Sequence, residues 1–154
     1  MMKNLLCTIC LLLAGILTAQ SSFTETDAIY IIDTFFDGFH QGDTVVMKSV
    51  MAPDMKMQTA FSTPTGAHMV SNGNAEDFIN AIANRPANQL WDEKLLDYSV
   101  QIDGNLAHVW TPYEFYVNGN FSHCGANAFT LAKMDNGWRI IHIIDSRRKV
   151  SCKQ

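Results

Sequence analysis

Residues Phe121–Lys149 read FSHCGANAFTLAKMDNGWRIIHIIDSRRK. Two apolar, alternating runs flank Met134-Asp135-Asn136-Gly137, and a polar turn between such runs is a β-hairpin signal. Side chains alternate between the two faces of a strand. His123, Gly125, Asn127, Phe129 and Leu131 therefore share one side of the first strand, and Ile141, Ile143, Asp145 and Arg147 one side of the second. With Lys133 facing Arg139 across the turn, Phe129 faces Ile143, Asn127 faces Asp145 and Gly125 faces Arg147. One face then has an apolar floor, with an amide, a carboxylate and a guanidinium gathered at one end. Pockets for small molecules are built this way, mostly apolar with a few convergent polar groups.

The segments before the hairpin extend the sheet. Leu106 to Val117 reads as a strand, turned into the hairpin by Asn118-Gly119-Asn120. Trp91 to Ile102 reads as one long strand, with Leu96, Tyr98, Val100 and Ile102 on one side and a turn at Asp103-Gly104. Further back the period changes. Ala28, Ile29, Ile32, Phe35, Phe36 and Phe39 recur at helical spacing over Glu25 to His40, with Thr24 or Thr26 as cap and Gly42 after the end. Asp43 caps a shorter helix through Val45, Val46, Val50 and Met51, ended by Pro53. Lys56 to Phe61 and Ala67 to Val70 are short strands around Ser62-Thr63-Pro64-Thr65-Gly66, with a breaker at Asn72-Gly73-Asn74. Asn74 caps a third helix, Ala75 to Ala83, that buries Phe78, Ile79 and Ile82, and Arg85-Pro86 closes it. Helices first and a meander of strands afterwards imply an α+β domain.

Of the 154 residues, the first 19 (MMKNLLCTICLLLAGILTA) have the form of a secretory leader. Lys3 is the positive start, Leu5 to Leu17 the apolar run, and Leu17-Thr18-Ala19 the small-residue cleavage site. The expectation is a signal peptide over 1–19, one domain over 20–154, and export to a periplasmic or extracellular space with no membrane attachment after cleavage. Net charge is −4 and becomes one unit more negative on losing Lys3. A mildly acidic surface offers no general attraction to nucleic acid. The mature chain keeps Cys124 and Cys152. Export permits a disulfide between them, and a buried mid-strand thiol at Cys124 is the alternative. A Cys124–His123 catalytic pair is excluded, because adjacent strand residues point to opposite faces. His108, His123 and His142 lack tight ligand spacing, so no metal site is expected. With no glycine-rich phosphate loop or nucleophile elbow, no cofactor is expected either.

Phe39-His40-Gln41-Gly42-Asp43 after the first helix, Ala107-His108-Val109-Trp110 on the long strand and Asn136-Gly137-Trp138-Arg139-Ile140 opening the last strand resemble the nuclear transport factor 2-like superfamily. That is the cone-shaped α+β fold shared with SnoaL-like polyketide cyclases, ketosteroid isomerase and scytalone dehydratase, and small exported members look most similar. The resemblance runs from about Thr26 to Arg148. It implies a curved, mostly antiparallel sheet wrapped around three N-terminal helices, a pocket at one end of the cone, and frequent dimerisation. It implies no particular reaction, since this fold hosts enzymes and binding proteins alike.

Within that cone the candidate ligand-binding residues are Trp110, Tyr113, His123, Asn127, Asp145 and Arg147. Arg147 has the fork geometry for a ligand carboxylate or phosphate, or it closes a salt bridge to Asp145. His123 is a candidate general base or hydrogen-bond partner. Which face of Leu106–Val117 looks inward is left open. A two-residue turn at Asn118-Gly119 puts His108, Trp110, Glu114 and Tyr116 beside His123, whereas a longer loop or a bulge near Pro112 turns Tyr113 and Phe115 inward. Glu114 next to His123 is the best acid/base pair on offer, with Asp145 as the other candidate carboxylate. The opposite sheet face shows Trp138, Ile140, Ile144, Cys124, Ala126, Ala128 and Ala132, and a homodimer covering it is the expectation. Three functions follow: binding of a small, partly apolar ligand with a carbonyl or anionic group; proton-transfer catalysis of the isomerase, dehydratase or cyclase kind; or docking of another chain on the outer face.

Overall fold

The computed structural model describes residues 22–152; the leader expected over 1–19 lies outside them. The chain runs α1 (Glu25–Gln41), α2 (Thr44–Val50), β1 (Met51–Ser62), β2 (His68–Gly73), α3 (Ala75–Ala83), β3 (Trp91–Leu95), β4 (Ser99–Asp103), β5 (Leu106–Val117), β6 (Asn120–Met134) and β7 (Gly137–Arg148). The sheet has seven strands in the order β2-β1-β7-β6-β5-β3, with β4 also paired to β5. Every pairing is antiparallel except β1 with β7. The three helices lie against this curved, unclosed sheet, which is the expected α+β cone.

Local chemistry sets the helix ends. Thr24 and Asp27 form a reciprocal capping box at the start of α1, and Gly42 takes the left-handed conformation at its end (φ 74°). That conformation costs glycine nothing. Arg85 donates to the carbonyls of Phe39 (3.2 Å) and His40 (2.8 Å), placing a cation at the negative end of α1. Asp43 caps α2 and Asn74 caps α3. The buried stripe of α1, including Ala28, Ile32, Phe35 and Phe39, packs on Val109, Phe129, Leu131 and Ile140.

Four boundaries depart from the sequence reading. Met51 opens β1 instead of closing α2, and Pro53 sits where the β1–β7 register slips between Met51 and Lys56, so its missing N–H costs no ladder bond. β2 starts at His68 and runs through Asn72-Gly73, expected as a breaker. Trp91 to Ile102 is two strands, with no ladder over Leu96-Asp97-Tyr98. The gap falls opposite Pro112, which has no N–H to donate; Leu96 N–H still reaches the Pro112 carbonyl at 2.9 Å.

The fourth departure concerns parity. The β6–β7 turn pairs Lys133 with Trp138, not with Arg139. A bulge at Ile141 then restores the expected register, and Phe129 pairs with Ile143, Asn127 with Asp145 and Gly125 with Arg147. Trp138 and Ile140 consequently lie inside, against the expectation that they face outward: Ile140 is fully buried, and Trp138 stacks on Phe23 with 3.9 Å between ring centroids. A second bulge, at Ser122, follows the two-residue Asn118-Gly119 turn and brings Phe115 opposite His123. Cys124 and Cys152 are joined in a disulfide, with Cα atoms 5.7 Å apart, tying β6 to the chain beyond β7.

Candidate functional site

Between the helices and the inner sheet face is a cavity of about 520 Å³. Phe35, Phe36, Phe39 and Phe78 from the helices, Met57 from β1, Trp91 from β3 and Phe115 from β5 form its apolar walls. The polar lining converges from four strands: Thr59 on β1, Glu93 on β3, His123 and Asn127 on β6, and Asp145 and Arg147 on β7. The hairpin register gathers the last four, and the parallel β1–β7 pairing sets Thr59 opposite Asp145.

Asp145 is the hub. Its Oδ1 accepts from Thr59 Oγ1 (2.5 Å), and its Oδ2 accepts from Tyr113 Oη (3.1 Å) and from Arg147 Nε and Nη2 (3.3 and 3.2 Å). The Tyr113 hydroxyl also lies 3.2 Å from the Ser146 carbonyl, so its one proton is shared. Burial, then the charges of Asp145 and Glu93, raise the Tyr113 pKa and keep the phenol neutral. Burial works against the Arg147 cation, but Asp145 and Tyr113 outweigh it and the guanidinium pKa is raised. Gly125 makes room for this cluster. A Cβ there would lie 1.7 Å from the Ser146 carbonyl oxygen and 2.8 Å from Tyr113 Cε1, so only glycine lets the Tyr113 ring lie across β6.

Glu93 is strongly perturbed by its burial. Its Oε1 accepts from Asn127 Nδ2 at 2.7 Å, and its backbone N–H donates to His40 Nε2 at 3.0 Å. Burial raises its pKa to about 7, with Asp145 adding repulsion and Asn127 and Arg147 opposing. His123 sits over Phe115 with 5.0 Å between ring centroids and edge-on to Tyr113 at 5.8 Å. Burial and the nearby Arg147 lower its pKa to about 4, so the imidazole is neutral at pH 7.

Of the residues singled out from sequence, His123, Asn127, Asp145 and Arg147 line the cavity. Tyr113 is buried behind the lining and holds Asp145 from below. Trp110 and Glu114 do not belong to the site. The bulge at Ser122 turns the odd residues of β5 inward, leaving Trp110 42% exposed on the outer face and Glu114 accepting there from the Tyr116 hydroxyl at 2.7 Å. The expected Glu114–His123 pair therefore does not form. Glu93 went unrecognised because an unbroken Trp91–Ile102 strand puts even-numbered residues inside, whereas the break after Leu95 turns Trp91, Glu93 and Leu95 inward. A lone acid at the same parity as Trp91 and Leu95 was the available signal. Among the described residues, no cluster of His, Cys, Asp or Glu is arranged to hold a metal ion, and no helix is long and apolar enough to cross a membrane.

Residues 24–143 match the family model described as "Putative lumazine-binding". The chain belongs to this family. Solved structures related to this lumazine-binding-family chain share its fold at low identity. An NTF2-like protein of unknown function from Pseudomonas putida KT2440 superposes with a TM-score of 0.64 at 14% identity, over 84% of this chain and 91% of its own. An NTF2-like protein from Cytophaga hutchinsonii gives 0.61 at 14% identity, over 81% and 99%. A nuclear transport factor 2-like superfamily protein from Salmonella enterica serovar Typhimurium gives 0.60 at 18% identity, over 82% and 92%. No curated protein matches this lumazine-binding-family chain. It thus has the nuclear transport factor 2-like fold, with a largely apolar cavity between helices and sheet.

Proposed function

We propose that the protein is exported and binds a small, flat, mostly apolar organic molecule that carries a carbonyl group. The observation that carries this reading is the cavity itself, aromatic on most sides with its polar groups gathered on one wall. Its size suits a molecule of two or three fused rings. Its charge balance favours a neutral ligand, because Arg147 is already paired with Asp145, His123 is neutral, and Glu93 is half protonated at neutral pH. The family description supports a heteroaromatic ring of the pteridine-dione kind. Arg147 is the anchor for the carbonyl at the mouth, where its side chain is 53% exposed. A thermal-shift screen of aromatic carbonyl compounds tests this reading, since a ligand that binds only the folded state raises the melting temperature. Arg147→Ala is expected to weaken every hit; unchanged affinity across the hits refutes the anchor.

A second reading is supported by the two carboxyl groups on one wall. Glu93 is poised to give or take a proton near neutrality, while Asp145 is held by three donor residues, and that contrast is what acid/base catalysis requires. Solvent-deuterium incorporation into a bound carbonyl compound at its α-carbon, abolished by Glu93→Gln, would favour this reading over simple binding. Self-association through the outer sheet face remains our proposal for the assembly, and a monomer by light scattering at high concentration would dismiss it.

A further inference from the structure

We propose that Glu93 and Asn127 form the recognition edge of the cavity, reading a neutral ring that offers a carbonyl acceptor beside an N–H donor, with Glu93 donating as the carboxylic acid. This rests on the small-ligand reading above and names its specificity. Asn127 Nδ2 is spent on Glu93 Oε1. Glu93 Oε2 and Asn127 Oδ1 have no partner among the described residues, yet neither is among fully occluded unsatisfied atoms, of which there are none. Both residues line the cavity, so these two atoms open into it. The site presents one hydroxyl donor, when Glu93 is protonated, and one fixed amide acceptor. A cyclic amide or ureide edge offers the complementary pair. A ligand that presents only apolar edges leaves both groups unpaired, and sites built for a polar edge discriminate strongly against analogues that lack it.

The same geometry links binding to protons. The carboxylate form of Glu93 has no hydrogen to give and meets the ligand carbonyl with like partial charge. Other groups near the edge stay constant or cancel in a comparison of variants. Asp145 and Arg147 on β7 are paired with each other, and Tyr113 on β5 is a neutral phenol. His123 on β6 is neutral above about pH 4. Thr59 on β1 is bonded to Asp145, and Phe78 and Ala81 on α3 are apolar. His40 on α1 meets the Glu93 backbone and is common to all variants.

The test uses three probes with wild type and Glu93→Gln: pteridine-2,4-dione, its 1,3-dimethyl derivative, and naphthalene, titrated at pH 5.5 and pH 8.5. If only protonated Glu93 holds the dione and that acid titrates near 7, wild-type affinity falls about thirtyfold between the two pH values beyond any change in Glu93→Gln. Glutamine keeps an N–H donor at both pH values, so the variant reports the probe's own ionisation. The dimethyl probe, lacking the ring N–H, is expected to bind at least tenfold more weakly than the dione at pH 5.5, and naphthalene to bind without pH dependence. Equal pH dependence in wild type and variant, or no loss on methylation, overturns the recognition edge. Naphthalene binding without dione binding also overturns it while sparing the small-ligand reading, and failure of all three probes defeats both. Melting of the ligand-free proteins gives an independent check. The gain in melting temperature of Glu93→Gln over wild type should be larger at pH 8.5 than at pH 5.5, and an equal difference at both pH values would mean Glu93 holds no proton to donate.

Discussion

The two ends of the β6–β7 inner face were made by one hairpin and serve opposite ends. Near the turn, Leu131 and Ile140 are fully buried against α1, with Phe129 one step on. Near the mouth, Asn127, Asp145 and Arg147 occupy the same face. Between them lies the bulge at Ile141. The dry end supplies stability through apolar burial. The wet end holds an acid whose pKa burial raises, a histidine whose pKa burial lowers, and an ion pair around an open cavity, and contributes little stability for the polar surface it encloses. Damage to the dry end should be read in melting curves, and damage to the wet end in ligand affinity and pH profiles.

The sharpest break should come from Phe129→Ala, which empties the centre of the floor. A loss of about 3–5 kcal/mol is expected by chemical denaturation, and a loss below 1 kcal/mol would deny the floor its role. Gly125→Ala comes next. It forces a methyl into the Ser146 carbonyl and the Tyr113 ring, so about 2–3 kcal/mol should be lost together with the Tyr113–Asp145 bond. An unperturbed Tyr113 environment by NMR would show that the strand yields more easily than this. Thr59→Val removes one donor to Asp145 while keeping its shape, with an expected cost of about 1–2 kcal/mol at pH 7.

The finest contrast is between the two titrating groups of the mouth. Burial raises Glu93 to about 7 and lowers His123 to about 4. Folding therefore favours the protonated Glu93, and that stabilisation is lost as pH rises from about 4.5 through 7. It favours neutral His123, and that stabilisation is lost as pH falls from about 6.5 through 4. The two slopes oppose over most of the same window, so wild-type stability is expected to change little there on their account. Glu93→Gln should expose the histidine slope, with stability falling on acidification. His123→Gln should expose the glutamate slope, with stability rising on acidification. Urea midpoints for the two variants between pH 4 and 7.5 check this, and parallel slopes in both would contradict it.

Which parts of this were readable from sequence follows from where the signals are local. Thr24, Asp43 and Asn74 cap the helices they precede in sequence, and Asn118-Gly119 closes the turn it was expected to close. The partners Asn127–Asp145 and Gly125–Arg147 also came out as expected. They did so although the turn pairing was one residue off, because the Ile141 bulge compensated for it. Bulges at Ser122 and Ile141 and the break at Leu96–Tyr98 have no local residue signature, and each reverses which side chains face inward. Those three events decided that Trp110 and Glu114 leave the site, that Ile140 joins the core, and that Glu93 enters the cavity. The break faces Pro112 on the neighbouring strand β5, a cause no local window contains.

The bond between Cys124 and Cys152 encircles the whole hairpin in a covalent ring, with a separation of 28 residues. Its far end lies beside the mouth, since Cys124 is the register partner of Arg148, one residue past the guanidinium that anchors the proposed ligand. Oxidation therefore ties the chain leaving β7 back to β6 beside the mouth. In a thiol-rich medium the stitch opens and frees the segment beyond Arg148, while the ladders from β1 and β6 on either side still hold Arg147. Protein prepared in a reducing cytoplasm would then keep its cavity and lose only this restraint on the chain beyond β7.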